Sequence, residues 1–287
     1  MEKEKISRIR LGVLLLICTV SLLGTISLGI VKGTFFNQSF LFEQMGKTDY
    51  SQLVTKEISQ NFREDNLEES EFVEVIATSI PQSFVEQSIE GFIQHTYKGS
   101  NHKVSETTDV AEVIDNAVQS YIKEHQLTLD KTEENKIETM KENLVNQFPR
   151  TAGSYYLFYF IHNMIKISEK SNYLFLSMLS VFIACQLTII LLARKNNGSF
   201  IQYTSLQLGI VGGGLLAVAG ALYLSQLSEH LEFRSQAVQI LMAGYIQTVL
   251  SYFFLSGGII VGLGAILGCT VLCSIRRKSE FKEGFRK

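Results

Sequence analysis

Four stretches of this chain run for 21 or more consecutive residues without a single Asp, Glu, Lys, Arg or His. They are residues 11–31 (LGVLLLICTVSLLGTISLGIV), 173–193, 206–227 and 251–274. An α-helix rises 1.5 Å per residue and a bilayer's hydrocarbon core is about 30 Å thick, so about 20 such residues suffice to cross it. Hydrophobic residues make up 46% of the 287 positions, yet 19% are charged, and the two sets occupy different segments. The chain is therefore expected to be an all-α membrane protein with four transmembrane helices. One large helical extracytoplasmic domain is expected between the first and second spans.

The first window follows Lys3, Lys5, Arg8 and Arg10, an arrangement that a signal peptide shares. Its apolar run exceeds the roughly 7–15 residues of a signal h-region, and no A-x-A site follows. It is read as an uncleaved span.

Charge asymmetry sets the expected orientation, because basic residues accumulate in the cytoplasmic flanks of spans. The tail at 1–10 carries those four basic residues, and the loop at 194–205 opens with Arg194 and Lys195. The tail at 275–287 carries Arg276, Arg277, Lys278, Lys282, Arg286 and Lys287. Residues 33–172 instead hold 12 Lys/Arg against 22 Asp/Glu, a balance of −10. Both termini are expected in the cytoplasm of a multi-pass cell-membrane protein, with 33–172 outside. Residues 228–250 then form a second outer loop, with an apolar approach helix leading into the fourth span. An acidic outer domain is a poor match for nucleic acid, so none is expected as a partner.

The four cysteines, Cys18, Cys185, Cys269 and Cys273, all fall inside the apolar windows. The outer domain therefore holds no disulfide, which suits the surface of a Gram-positive cell.

Within the domain the apolar residues recur at helical spacing. Tyr50, Leu53, Val54, Ile58 and Phe62 share one face behind Asp49, a candidate N-cap. Phe72, Val73 and Ile76 belong to a helix opened by Ser70. Pro81 suits a first helical position ahead of Phe84, Val85, Ile89, Phe92 and Ile93. YKGSNH at 97–102 reads as a turn. Val110, Ile114 and Val118 mark a further helix, and Ile137, Leu144 and Phe148 another, which Pro149 is expected to stop. Residues 40–150 thus carry at least four amphipathic helices whose faces can meet without lipid. The aromatic segment at 154–167 is expected to lie on the membrane or across the base of the domain.

Chemistry-bearing motifs are sparse. No HExxH, G-x-S-x-G or phosphate loop is present, and no cofactor or metal is expected. The sharpest catalytic candidates are His162, Glu229, His230 and Glu232, because His/Glu clusters near a membrane surface can perform acid–base work. Gln186 and Gln207 are expected to hydrogen-bond between spans. Gly209, Gly213 and Ala217 in the third span, and Gly258, Gly262, Gly264 and Gly268 in the fourth, repeat at four-residue spacing. Small residues so placed let helix backbones approach closely, within one chain or in a homo-oligomer.

The span order, the Tyr50–Leu53–Ile58 opening helix and the YKGSN turn resemble four-span integral membrane proteins of low-GC Gram-positive bacteria. That resemblance implies no catalytic residue. The layout also resembles the FtsX permeases, ABC-type proteins whose outer loop controls wall hydrolases, although strand signals are missing here. The FtsX resemblance implies a permease-type or regulatory subunit served by a separate ATPase. The reading favoured by the residues themselves is a non-enzymatic cell-envelope protein. Its spans lie in the lipid bilayer and its outer domain binds a protein, peptide or lipid partner.

Overall fold

The computed structural model describes residues 2–66, 71–98, 107–152, 155–195, 200–226 and 233–284. Every element among them is helical and none is a strand. In chain order the helices are α1 (Glu2–Gly33), α2 (Gln38–Lys47), α3 (Tyr50–Asp65), α4 (Glu71–Ala77) and α5 (Gln82–Tyr97). There follow α6 (Thr107–Glu124), α7 (Lys131–Ala152), α8 (Tyr155–Lys195), α9 (Phe200–Leu224) and α10 (Gln236–Gly284). Four helical stretches are long and apolar enough to cross a membrane, and they lie in α1, α8, α9 and α10.

The chain forms two compact units. The first comprises Met1–Thr34, Ser168–Leu227 and Ile246–Lys287, and the second Phe35–Ile167 and Ser228–Tyr245.

In the first unit the large apolar side chains point outward. Leu16, Leu187, Leu206, Leu255 and Ile266 are among those exposed. Water would penalise each by about 1.5–3 kcal/mol relative to an apolar medium, so this surface suits lipid tails. Inside, Cys18, Cys185 and Ile189 form a small core. All four cysteines are free thiols.

The second unit is an amphipathic bundle built around α3. Tyr50, Val54, Ile58 and Phe62 recur every four residues and are at most 1% exposed. They meet α5 through Val85 and Ile89, and α7 through Leu144 and Phe148, all fully buried. Residues far along the chain complete this core. Leu157 and Ile161 from the start of α8, and Ala237, Leu241 and Tyr245 from the start of α10, are buried as deeply. The Tyr245 ring lies 5.1 Å from both Phe35 and Phe40 and 5.9 Å from Phe160. The segment 40–150 is therefore short of the folded unit, which also draws on α8 and α10.

Several local expectations need correction. Asp49 does precede α3, but its backbone is left-handed (φ 48°, ψ 42°) and its side chain makes no capping bond. Pro81 sits one residue earlier than expected, as an extended N-cap of α5. Pro149 does not stop α7, which continues to Ala152. The turn at 97–102 lies mostly outside the described residues, although Tyr97 closes α5. The segment at 154–167 is described from Tyr155, where it opens α8 and packs Leu157 and Ile161 into the second unit, and the approach at 237–250 runs without a break into the rest of α10.

Candidate functional site

The facing polar edges of α3 and α7 leave a cleft of about 880 Å³ in the second unit. It is built by simple periodicity. Glu57, Asn61, Glu64 and Asp65 lie at i, i+4, i+7 and i+8 on α3, beside the apolar stripe that ends in Phe62. Asn143, Asn146, Gln147 and Arg150 lie at i, i+3, i+4 and i+7 on α7, beside Leu144 and Phe148. Residues so spaced share one helix face. Asn66, Thr151, Arg234 and Ser235 close the cleft, and buried Phe62 forms its floor.

The acidic groups here already have partners. Glu57 Oε2 accepts from Ser235 Oγ at 2.8 Å and from the Ala237 amide at 3.3 Å. Ser235 Oγ in turn accepts from the Val238 amide at 3.2 Å. Together they satisfy the first free N–H groups of α10, where a negative charge is also favoured by the helix dipole. Asp65 Oδ2 accepts from Gln147 Nε2 at 3.3 Å, and Glu64 Oε1 from Gln60 Nε2 at 3.0 Å. Burial, followed by the nearby Glu57 charge, raises the Tyr50 phenol well above the ordinary tyrosine value, so that hydroxyl stays protonated.

The basic groups are different. Among the described residues neither Arg150 nor Arg234 forms an ion pair, and both are exposed. Asn61, Asn143 and Asn146 likewise keep their carboxamides unengaged among the described residues. The cleft thus presents amide donors and acceptors together with two arginines outside any ion pair and the three carboxylates of α3.

Of the expected catalytic group only His162 is described. It lies exposed on α8 with its ring stacked on Phe158, centroids 5.7 Å apart and planes 13° apart. Glu229, His230 and Glu232 fall outside the described residues. No cluster of three or more His, Cys, Asp or Glu side chains fit to hold a metal occurs among the described residues.

In the first unit Gln186 Nε2 donates to Gln207 Oε1 at 2.9 Å, joining α8 to α9, and Gln207 is only 2% exposed. The glycine seam between α9 and α10 runs in a different register from the expected one. A Cβ at Gly212 would lie 2.7 Å from the Val261 nitrogen and 2.8 Å from the Gly257 carbonyl oxygen. One at Gly264 would lie 3.1 Å from both the Gly209 nitrogen and the Ser205 carbonyl oxygen. Gly268 faces Ser205, whose hydroxyl donates to the Gly264 carbonyl at 2.8 Å. Gly264 and Gly268 are therefore in the contact, and Gly209 joins it through its backbone.

Gly213, Gly258 and Gly262 would meet nothing within 4 Å, and Ala217 is exposed, so these four lie off the seam. A strict four-residue step drifts about 40° around a helix. Continuous contact instead mixes steps of three and four, as in Ser205, Leu208, Gly212 and Leu216, which approach α10.

The sequence reading missed the α3–α7 cleft. Its signal was present in two polar faces at helical spacing, acidic on α3 and carboxamide-rich on α7, but they lie about 80 residues apart and acquire meaning only when packed together. No protein-family model matches the chain, and no curated protein or solved structure matches it either.

Proposed function

We propose that this chain is a non-enzymatic cell-envelope membrane protein whose helical domain binds a partner on the outer face of the membrane. The observation that carries this reading is the α3–α7 cleft. Its volume of about 880 Å³ falls within the roughly 300–1,000 Å³ of small-ligand sites. Its unengaged carboxamides and arginines hold ligands by hydrogen bonds and charge at neutral pH. The outward-facing apolar surfaces of the four long helices support membrane anchorage. The flanking basic segments support cytoplasmic termini.

A photo-crosslinking residue placed at Asn146 in the full chain tests the reading in intact cells. Capture of an envelope component at Asn146, and not at Lys123 on α6, is the expected result. Equal capture at both positions, or none at either, would count against a binding role for the cleft.

A second reading, a regulatory or permease-type subunit of an ABC-like complex, rests on the continuity of α8 and α10. Each helix contributes residues to both units without a break. Co-purification of an ATPase with the detergent-extracted chain is its discriminating measurement.

A further inference from the structure

Two of the four thiols stand together in the first unit, away from the cleft. Cys18 on α1 and Cys185 on α8 share one buried cluster with Ile189, and Cys18 is fully buried. The two helices pass each other antiparallel, in a register that three contacts fix. Lys32 donates to Asn172, a Cβ at Gly29 would lie 3.8 Å from the Phe175 ring, and one at Gly24 would overlap the Met178 sulfur. Six residues beyond Gly24 and Met178 the same register sets Cys18 against Ala184, next to Cys185. The Cys18 sulfur also lies 4.0 Å from the Phe182 carbonyl oxygen. Helical side chains lean toward the N-terminal end of their helix, so Cys185 reaches back over that same turn.

A carboxamide with an unused donor stands beside the pair. Gln207 Oε1 accepts from Gln186 Nε2, which turns Gln207 Nε2 away to a place where it makes no hydrogen bond among the described residues. The Gln207 side chain is within hydrogen-bonding reach of the Cys18 thiol. A buried N–H without an acceptor is costly, and in hydrocarbon no water relieves it. A neutral thiol is a weak acceptor and an anionic sulfur a strong one. The Gln207 donor is therefore matched when Cys18 is ionised, the form in which cysteine acts as a nucleophile. Cys269 and Cys273, by contrast, lie exposed on α10.

We propose that Cys18 and Cys185 are a redox pair that a lipid-borne hydroperoxide oxidises to a disulfide between α1 and α8. Leu14, Leu15 and Phe182 pack around the pair, so the oxidant has to partition into hydrocarbon. Cys185 is only 8% exposed, which admits the narrow end of a peroxidised chain more readily than a ring. The Cys18 thiolate attacks the terminal peroxide oxygen and breaks the O–O bond. The alkoxide leaves with the Cys18 proton as an alcohol, and Cys18 becomes a sulfenic acid. The Cys185 sulfur then attacks the Cys18 sulfur, and its proton departs with the sulfenic hydroxyl as water. Two thiols are oxidised and one peroxide bond is reduced.

The full chain carrying C269S/C273S, held in lipid nanodiscs, retains only these two thiols. Linoleate hydroperoxide should consume both, release its alcohol in equal amount to the disulfide, and yield a linked Cys18–Cys185 peptide that dithiothreitol separates. Adding C185S should stop the reaction at a dimedone-trapped sulfenic acid on Cys18, and adding C18S should give no adduct. Q186L/Q207L removes both carboxamides together, so neither is left unpaired, and its melting curve is measured alongside. It should oxidise about tenfold more slowly, the worth of one charge-assisted hydrogen bond. The single-cysteine variants decide the matter should that double variant fail to fold. Two free thiols after exposure, a disulfide between chains, or a rate indifferent to Q186L/Q207L would overturn the proposal. So would closure by a benzoquinone with none by the hydroperoxide.

Discussion

At the scale of single residues, the seam between α9 and α10 turns on which glycine faces it. A methyl group at Gly212 would press on main-chain atoms of Gly257 and Val261, which cannot yield without moving a helix, whereas one at Gly213 meets nothing. Gly212→Ala is expected to cost about 1–3 kcal/mol, the usual range for overpacking. Gly213→Ala should stay within about 0.5 kcal/mol of wild type. Thermal denaturation of the detergent-solubilised chain compares them, and equal melting points would refute the register of the seam. In the helical bundle Lys141 invites a pH test. Burial disfavours its charge, but the hydrogen bonds it donates to Asp115 and Glu138 outweigh this and hold its pKa above the ordinary lysine value. A group whose folded pKa is raised stabilises fully below its unfolded pKa, about 10.4 for lysine, and loses that contribution as pH rises through the folded value. Lys141→Gln should therefore melt lower than wild type between pH 7 and 10, by about 0.5 kcal/mol or less for so modest a pair. The gap should close at higher pH, and a gap that persists there would assign the loss to packing instead.

At the scale of elements, the Glu57 carboxylate ties the first turn of α10 to α3, 178 residues earlier in the chain. Glu57→Ala removes the acceptor from Ser235 and Ala237 and should cost about 1 kcal/mol, a typical capping loss. Glu57→Gln keeps an acceptor but removes charge from the helix N-terminus, so about 0.3–1 kcal/mol is expected. Hydrogen exchange at the amides of 237–240 should quicken in the order wild type, Gln, Ala; unchanged exchange would show that the first turn is held by packing alone. The same elements show what sequence can carry. The stripe of Tyr50, Val54, Ile58 and Phe62 was legible because one buried face imposes its own period on its own residues. The apolar windows were legible for a similar reason, since composition alone decides what lipid tolerates. Nothing in the sequence sets Glu57 apart from the other charged residues of α3, because its partners arrive from the far end of the chain. Ala237, Leu241 and Tyr245 looked like a membrane approach, because an apolar face does not state whether lipid or protein covers it. Gly212 and Gly213 are equally small, and only the partner helix distinguishes them. Nothing in the sequence placed Arg150 and Arg234 at one cleft.

At the scale of the whole molecule, the bundle's dependence on distant segments and the orientation of the spans each yield a prediction. A fragment of residues 40–150 lacks Leu157, Ile161, Leu241 and Tyr245, all at most 1% exposed in the complete unit. It should stay helical by circular dichroism yet melt without a cooperative transition, because its core would face water. A cooperative melt would show that α8 and α10 are dispensable to the fold. The proposed orientation rests on charge. Placing 275–287 outside would send six basic residues across the membrane and bring the segment at 33–172, with its balance of −10, inside. Each Lys or Arg on the wrong flank opposes the insertion bias, and the three basic segments agree in sign. Four spans are an even number, which requires both termini on one side. A cytoplasm-active fluorescent reporter fused at Lys287 should therefore emit, and an export-dependent phosphatase inserted near Asn101 should be active. Phosphatase activity at Lys287 with silence at Asn101 would invert the molecule and put the α3–α7 cleft in the cytoplasm, away from any envelope ligand. Reporters on opposite sides at the two termini would mean that one of the four long helices does not cross. The first to re-examine would then be α9, whose apolar stretch is the least hydropathic of the four.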